Sequence, residues 1–256
     1  MKLATWNVNS LRVRLPQVLE WLAREAPDVL CLQETKVPDE DFPEAALREA
    51  SYFAVFSGQK TYNGVAILTR QTPTAVLREL PGADNAQRRF LAADLDGIRI
   101  INVYVPNGES VDSDKFRYKL AWLEALRAHL HAELEVHPRL VVVGDFNIAP
   151  QDRDVHDPRA WQGQVLFSEP ERTALQQLFA LGLKDSFRLF DQPDASFSWW
   201  DYRQGAFRRN RGLRIDHILS SPQLASACRG CRIDVEPRRA ERPSDHAPVI
   251  AEFAPG

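Results

Sequence analysis

Apolar positions along this chain recur with two different periods. Short runs rich in β-branched and aromatic residues, bounded by Gly, Pro, Asn or Asp, predict strands at Leu3–Val8, Val29–Gln33, Tyr52–Ser57, Val65–Thr69, Phe90–Leu95 and Arg99–Val105. The same signal predicts strands at Leu140–Phe146, Phe197–Trp200, Ile215–Ser220, Cys231–Glu236 and Pro248–Phe253. Between some of these runs the period changes to that of an amphipathic helix. Leu11–Arg24 gathers Leu11, Leu15, Val18, Leu19 and Leu22 on one face, and Lys115–Leu134 gathers Phe116, Leu120, Leu123, Leu126 and Leu130. Pro170–Leu181 does the same with Leu175, Leu178 and Leu181. Ser113 or Asp114 is placed to cap the second helix, and Ser168 the third.

Strands that follow one another without a helix, as Phe90–Leu95 and Arg99–Val105 do across Asp96-Gly97, make a mixed sheet rather than a parallel one. Many strands with helices between only some of them predict an α/β fold of packed sheets with helices outside. No repeat, low-complexity tract or linker interrupts the pattern, so the expectation is a single domain over residues 1–256. Asp152–Ser168 is the longest irregular stretch, and long loops in compact domains are often functional.

Polar islands stand where the apolar runs stop. They are Thr5-Trp6-Asn7-Val8-Asn9, Gln33-Glu34-Thr35-Lys36, Gly144-Asp145-Phe146-Asn147 and Ser244-Asp245-His246-Ala247-Pro248. Strand ends are where open α/β sheets carry their chemistry. Residues two apart on a strand share a face, so Asp145 and Asn147 project together with Phe146 turned to the core, and Asn7 pairs with Asn9. Glu34 ends a strand so apolar that its charge needs a partner, and a divalent cation is a natural one. His246 needs a carboxylate to orient it, for which Asp216 is the candidate, while His217 should face the other way and pack. Tyr104 closes a strand before the Pro106-Asn107-Gly108 turn. Any one island is compatible with an ordinary turn or a packed side chain. Together they supply carboxylates, amides and an imidazole without a usable thiolate, a set that suits a hard divalent cation and phosphate oxygens.

Composition narrows the partners. The net charge of −3 over 256 residues excludes a uniformly basic nucleic-acid binder, so any attraction to a polyanion must be local. One segment supplies it: Arg203, Arg208, Arg209, Arg211 and Arg214 are interleaved with Trp199, Trp200, Tyr202 and Phe207. Cations for phosphates beside planar rings for bases or sugars are what a nucleic-acid surface needs. Three cysteines are too few for a disulfide framework, and Cys228 and Cys231 are expected to be half-buried packing residues. The chain opens on a strand without an apolar leader and has no run near the length of a membrane span, so the expected setting is cytoplasmic, away from membranes.

These islands, with Ser10-Leu11-Arg12, Gly212-Leu213-Arg214-Ile215-Asp216 and Pro243 before the last, resemble the exonuclease III family of abasic-site endonucleases. The likeness runs in order from residue 1 to about residue 253. It implies a DNase I-like four-layer α/β sandwich of two packed mixed sheets flanked by helices. It also implies a Mg²⁺-dependent repair nuclease, with Mn²⁺ able to substitute. The substrate would be double-stranded DNA with abasic sites, nicks or 3′ ends, acted on by a monomer. By position, the resemblance makes Glu34 the main metal ligand, with Asn7 beside it and Asp245 at the metal site. Asp145 would prepare the attacking water, and Asn147, Tyr104 and Asn107 would serve the phosphate. His246 would polarise a phosphate oxygen, oriented by Asp216. Trp199, Leu213 and Ile215 would line the pocket for a flipped-out sugar. Leu166 departs from the family, which tends to have a small residue there when internal abasic sites are cut. The expectation is therefore that 3′-end processing exceeds internal incision. A relative acting on lipid or inositol phosphate head groups would share the Asp–His core but lack the arginine-aromatic segment. A non-catalytic binding module would have lost Glu34, Asp145 or His246.

Overall fold

A computed structural model describes residues 1–254; the last two residues of the expected 1–256 domain lie outside the described residues. Six strands form the first sheet: β1 (Lys2–Asn7), β2 (Val29–Gln33), β3 (Phe53–Ser57), β4 (Val65–Thr69), β11 (Cys228–Ile233) and β12 (Val249–Phe253). The second holds β5 (Thr74–Leu77), β6 (Phe90–Leu95), β7 (Ile98–Tyr104), β8 (Leu140–Asp145), β9 (Lys184–Asp185) and β10 (Asp216–Ser220). Their orders are β11-β12-β1-β2-β4-β3 and β5-β6-β7-β8-β10-β9. Both sheets are mixed, since β1 runs parallel to β2 and β7 parallel to β8 while the other pairs are antiparallel.

Alternation along the strands builds the layers. Leu3, Val29, Cys31, Val65 and Ile67 of the first sheet meet Leu91, Ala93, Ile100, Val141, Val143 and Ile218 of the second in one buried cluster. The opposite faces carry Ala4, Trp6, Leu30 and Leu32, and Phe90, Ile101, Val103 and Val142. Helices α1 (Leu11–Glu25) and α2 (Glu44–Glu49) cover the first outer face, through Leu11, Val18, Trp21, Leu22 and Leu47. Helices α3 (Asp114–Val136) and α5 (Glu169–Ala180) cover the second, through Trp122, Leu123, Leu126, Leu130, Leu175 and Leu178. Two short helices, α4 (Pro158–Trp161) and α6 (Pro222–Ser226), complete the set. This is the expected four-layer sandwich. Ser113, not Asp114, caps α3: its hydroxyl accepts from the Phe116 N–H at 3.0 Å. Ser168 and Glu171 make a reciprocal capping box at α5. Among the described residues no helix is long and apolar enough to cross a membrane.

Two expected strands need correction, and two observed strands were not expected. Phe197–Trp200 is not a strand; only Trp199 forms isolated bridges, to Leu213 and to His246. The segment crosses the mouth of the gap between the sheets, so its side chains serve separate clusters instead of one face. The strand expected at Cys231–Glu236 is Cys228–Ile233, and a register shift between Cys228 and Gly230 turns both cysteines inward. Burial pushes both thiols up, which suits packing and not redox chemistry. The edge strands β5 and β9 went unanticipated, being short and carrying little apolar pattern.

Candidate active site

The parity that fills the inter-sheet gap with aliphatic side chains also places Asn7, Tyr104, Asp145 and Asp216 at its open end. Residues 3, 5 and 7 of β1 face inward, as do 100, 102 and 104 of β7 and 141, 143 and 145 of β8. Register then sets the neighbours: Asp145 lies directly opposite Tyr104 on one side and Asp216 on the other. One layer below, the gap is already polar. Gln33 Nε2 donates to Thr5 Oγ1 at 2.8 Å and to Asn102 Oδ1 at 2.7 Å. Asn102 Nδ2 in turn donates to the carbonyls of Leu32 and Ala66 at 2.9 and 2.8 Å. This rung ties the two sheets together beneath the site.

Gly144 makes the close approach of β7 and β8 possible. Its φ is +143°, and a Cβ there would lie 1.9 Å from the carbonyl oxygen of Val103. No side chain fits without parting the two strands that hold Tyr104 and Asp145.

Asp145 is the hub. Asn7 Nδ2 donates to Asp145 Oδ2 and to Glu34 Oε1, each at 2.9 Å, and so bridges the two carboxylates. Asn147 donates its backbone N–H to Asp145 Oδ1 at 2.9 Å and its Nδ2 to Asp145 Oδ2 at 3.3 Å. Asn147 has φ 51°, so the chain has left the strand and a turn, rather than strand alternation, brings this side chain back. The same holds for Asn9, with φ 44°. Asn107 Nδ2 donates to Asn147 Oδ1 at 3.2 Å.

His246 lies 3.7 Å through Nε2 from Asp145 Oδ2, and its Nδ1 is 2.9 Å from Asp216 Oδ2. Ser198, on the crossing segment, donates its hydroxyl to the same Asp216 oxygen at 2.7 Å. Burial alone would push the imidazolium of His246 down, but Asp216 and Asp145 outweigh it and raise the ring to about 10. Burial pushes Asp145 up to about 7 against the pull of His246, with Asp216 and Glu34 adding to the rise. Burial also keeps the Tyr104 phenol well above its ordinary value, with Glu34 and Asp145 acting in the same sense. Tyr104 is thus a neutral hydroxyl, and Asp145 holds a proton more readily than an ordinary carboxylate. Burial would raise Glu34, yet Lys36, Asn7 and His246 hold it below the ordinary carboxylate value.

Glu34, Asp145 and His246 offer ligand atoms all within 4.8 Å of one another. The Glu34 and Asp145 carboxylate oxygens are a good fit to a hard divalent cation, whereas His246, kept charged, has no lone pair on Nε2 to offer it. The other expected metal residues stand differently. Asn7 turns its amide nitrogen to the carboxylates, while its Oδ1 accepts from the Asn9 N–H at 3.0 Å. Asp245 lies behind the cluster, its oxygens accepting from Asn9 Nδ2 at 2.9 Å and Trp199 Nε1 at 3.0 Å. Lys36 Nζ pairs with Glu34 at 2.9 Å and donates to Asn9 Oδ1 at 2.5 Å. Lys36 and Ser198 are site residues that the sequence did not assign, although Lys36 closes one of the islands.

Beside this polar group, Leu213, Ile215, Leu166, Ala149, Val155 and Phe167 form a separate buried apolar cluster, with Trp199 packed against it. The three expected sugar-pocket residues are therefore together, and Leu166 is among them. Leu166 is 5% exposed and held at φ 76°, a left-handed conformation that a leucine rarely adopts. On the rim, Arg203, Arg208, Arg209 and Arg211 are exposed. Arg214 is not part of that surface. It is buried on the irregular segment that leads into β10 and donates to Asp154 and Asp185 at 2.7 and 2.8 Å.

The fold and this constellation define a phosphodiesterase of the DNase I-like architecture. The chain belongs to the endonuclease/exonuclease/phosphatase family, whose model matches residues 4–246, and within it to the exonuclease III group. It is 40% identical to exodeoxyribonuclease III of Haemophilus influenzae, over 99% of this chain and 100% of that protein. Among solved structures it resembles a 3′ phosphatase, NExo, from Neisseria bound to product DNA hairpin, with 52% identity, TM-score 0.97 and 99% of both chains covered. An AP endonuclease from Archaeoglobus fulgidus is similar at 42% identity, with TM-score 0.96 and 99% of both chains covered.

Proposed function

We propose that this chain is a Mg²⁺-dependent DNA repair nuclease that leaves or restores a 3′-hydroxyl. Its activities would be 3′→5′ exonuclease action, removal of 3′-phosphate and other 3′-blocking groups, and incision at abasic sites, with internal incision the weakest. Mn²⁺ would substitute. One observation carries the reading. Asp145, raised towards neutrality, sits between Glu34, Asn7, Asn147, Tyr104 and the His246–Asp216 pair, beside an exposed arginine loop. The relatives support the same activities, being an exodeoxyribonuclease, a 3′ phosphatase seen with DNA and an AP endonuclease.

The residues divide the work. Asp145 takes a proton from water as its oxygen forms the new bond to phosphorus. The P–O3′ bond breaks, and the 3′ oxygen takes a proton from solvent water to become the hydroxyl. His246, kept charged by Asp216, donates from Nε2 to a non-bridging oxygen. Asn147 and Asn107 supply amide donors, and Tyr104 its phenol. Bound Mg²⁺, held by Glu34 with Asn7 and Asp245 at its margin, would neutralise phosphate charge and stabilise the leaving oxygen. Arg203, Arg208, Arg209 and Arg211 would grip the DNA backbone. We read the protein as a cytoplasmic monomer, a state that sedimentation can check.

The test compares duplexes bearing an internal abasic site, a 3′-phosphate or a plain recessed 3′ end, each with Mg²⁺ and with chelator. Mg²⁺-dependent hydrolysis that is fastest at 3′ ends is expected. Full activity in excess chelator, or none on any duplex, overturns the reading.

A further inference from the structure

Lys119 and Glu171 form an ion pair in which neither side chain has any exposed surface. Lys119 comes from α3 and Glu171 from the first turn of α5. The ammonium has three protons and three acceptors: Glu171, the Asn107 carbonyl at 3.1 Å and the Asn147 carbonyl at 2.7 Å. The carboxylate takes four donors: Lys119, the Leu166 N–H at 2.9 Å, the Ser168 N–H at 3.0 Å and the Ser168 hydroxyl. A Cβ on Gly108 would lie 3.2 Å from the Lys119 stem and 3.3 Å from Val165, so the turns bearing Asn107 and Leu166 also meet over that stem.

The pair therefore joins three loops that have no regular structure of their own. Each bears a residue of the site: Asn107 and Asn147 on the phosphate side, Leu166 at the apolar cluster. Burying two charges is expensive, and a hydrophobic pair of similar volume is often as stable. What apolar side chains cannot do is fix two carbonyls and two amide N–H groups at one point. We propose that Lys119 and Glu171 are positioning residues. They act through the backbones of Asn107, Asn147 and Leu166 and set the distance between the phosphate-binding amides and the apolar cluster. The kinetic consequence rests on the nuclease reading above; the clamp itself does not.

The test separates stability from position. Lys119→Met and Glu171→Gln each leave one buried charged or polar group without its partner, so both should lower the melting temperature. The double variant K119M/E171Q leaves no buried charge, and the single carboxamide oxygen introduced by E171Q can still accept from Ser168 while its NH₂ group faces the Leu166 N–H. It should melt above K119M, which keeps an uncompensated buried carboxylate, but below the wild type, because the Asn107 and Asn147 carbonyls lose their donor. On a 3′-phosphate duplex at saturating Mg²⁺, its kcat should fall about tenfold to a hundredfold, with KM little changed. Amide hydrogen exchange should quicken in the 105–109 and 146–149 loops. A double variant that regains both stability and kcat shows a merely structural pair and overturns the proposal. Exchange in those loops as slow as in the wild type overturns it too. A wild type inactive on every DNA end would sink the nuclease reading, and exchange alone would then decide the clamp.

Discussion

Asp145, Asp216 and His246, on the floor of the cleft, are 1%, 1% and 4% exposed, and each is held by partners drawn from other strands and loops. Arg208, Arg209 and Arg211, on the rim, are exposed, and among the described residues none of the three has a carboxylate within ion-pair distance. The floor gains its precision from strand register in a low-dielectric gap, where a misplaced charge is costly. The rim gains only attraction, which acts at a distance and weakens with salt. A change on the floor should therefore alter rate, and a change on the rim should alter affinity.

The largest effect should come from Asp145→Asn and His246→Asn. Each would remove a partner from the proton-transfer and charge-stabilising unit proposed above, for a loss of about 10³-fold or more in kcat. The double variant should be little worse than the more damaging single one, because a unit already broken has little left to lose. DNA affinity, measured by anisotropy, should move far less. Losses that multiply, or that appear mainly as weaker binding, would erase the division between floor and rim.

Glu34→Ala comes next. It removes the carboxylate that both Asn7 and Lys36 contact, so activity should drop by about 10²-fold and the Mg²⁺ concentration for half-maximal rate should rise. Excess chelator should abolish turnover in the wild type. A Mg²⁺ requirement unchanged in E34A would move the metal to other residues of the cluster.

Much of the floor was legible from alternation alone. Asn7, Tyr104, Asp145 and Asp216 each stand at inward parity at the end of an apolar run, and two sheets packed face to face bring such ends together. The segment Phe197–Trp200 was not legible as a bridge between sheets, because its apolar residues look the same whether they line one face or divide between clusters. Lys119 left a signal in the pattern. It stands three residues after Phe116 and four before Leu123, on the buried face of α3, where a charge needs a partner. That partner lies on a different helix, so sequence spacing could not name it. Arg214 shows the opposite error: its place among rim arginines hid its partners, Asp154 and Asp185, which are remote in sequence.

On the rim, Arg208→Ala, Arg209→Ala and Arg211→Ala combined should weaken DNA binding with kcat at saturation nearly unchanged. For every phosphate that the variant no longer neutralises, the plot of log K against log salt should flatten by about 0.9. An unchanged slope would place the DNA on another face.

Leu166 sits between the two regions and should give the smallest effect in rate but the sharpest in selectivity. It is buried against the cluster of Leu213 and Ile215 that Trp199 borders, and its φ of 76° is one that glycine adopts without strain. An abasic sugar inside a continuous strand must rotate out and enter a closed pocket, whereas a terminal nucleotide can approach from the open side. A leucine side chain in that cluster occupies room that a small residue would leave. Leu166→Gly should therefore speed internal incision while changing 3′-phosphate removal little. Lost packing costs about 2–5 kcal/mol for a fully buried leucine, partly offset by relief of about 1–3 kcal/mol of backbone strain, so the melting temperature should fall only modestly. The measurement is the ratio of the two rates on matched duplexes, wild type against variant. A wild type that already cuts internal abasic sites faster than it clears 3′ ends, or a ratio that does not move, would make Leu166 an ordinary packing residue and leave selectivity to the rim.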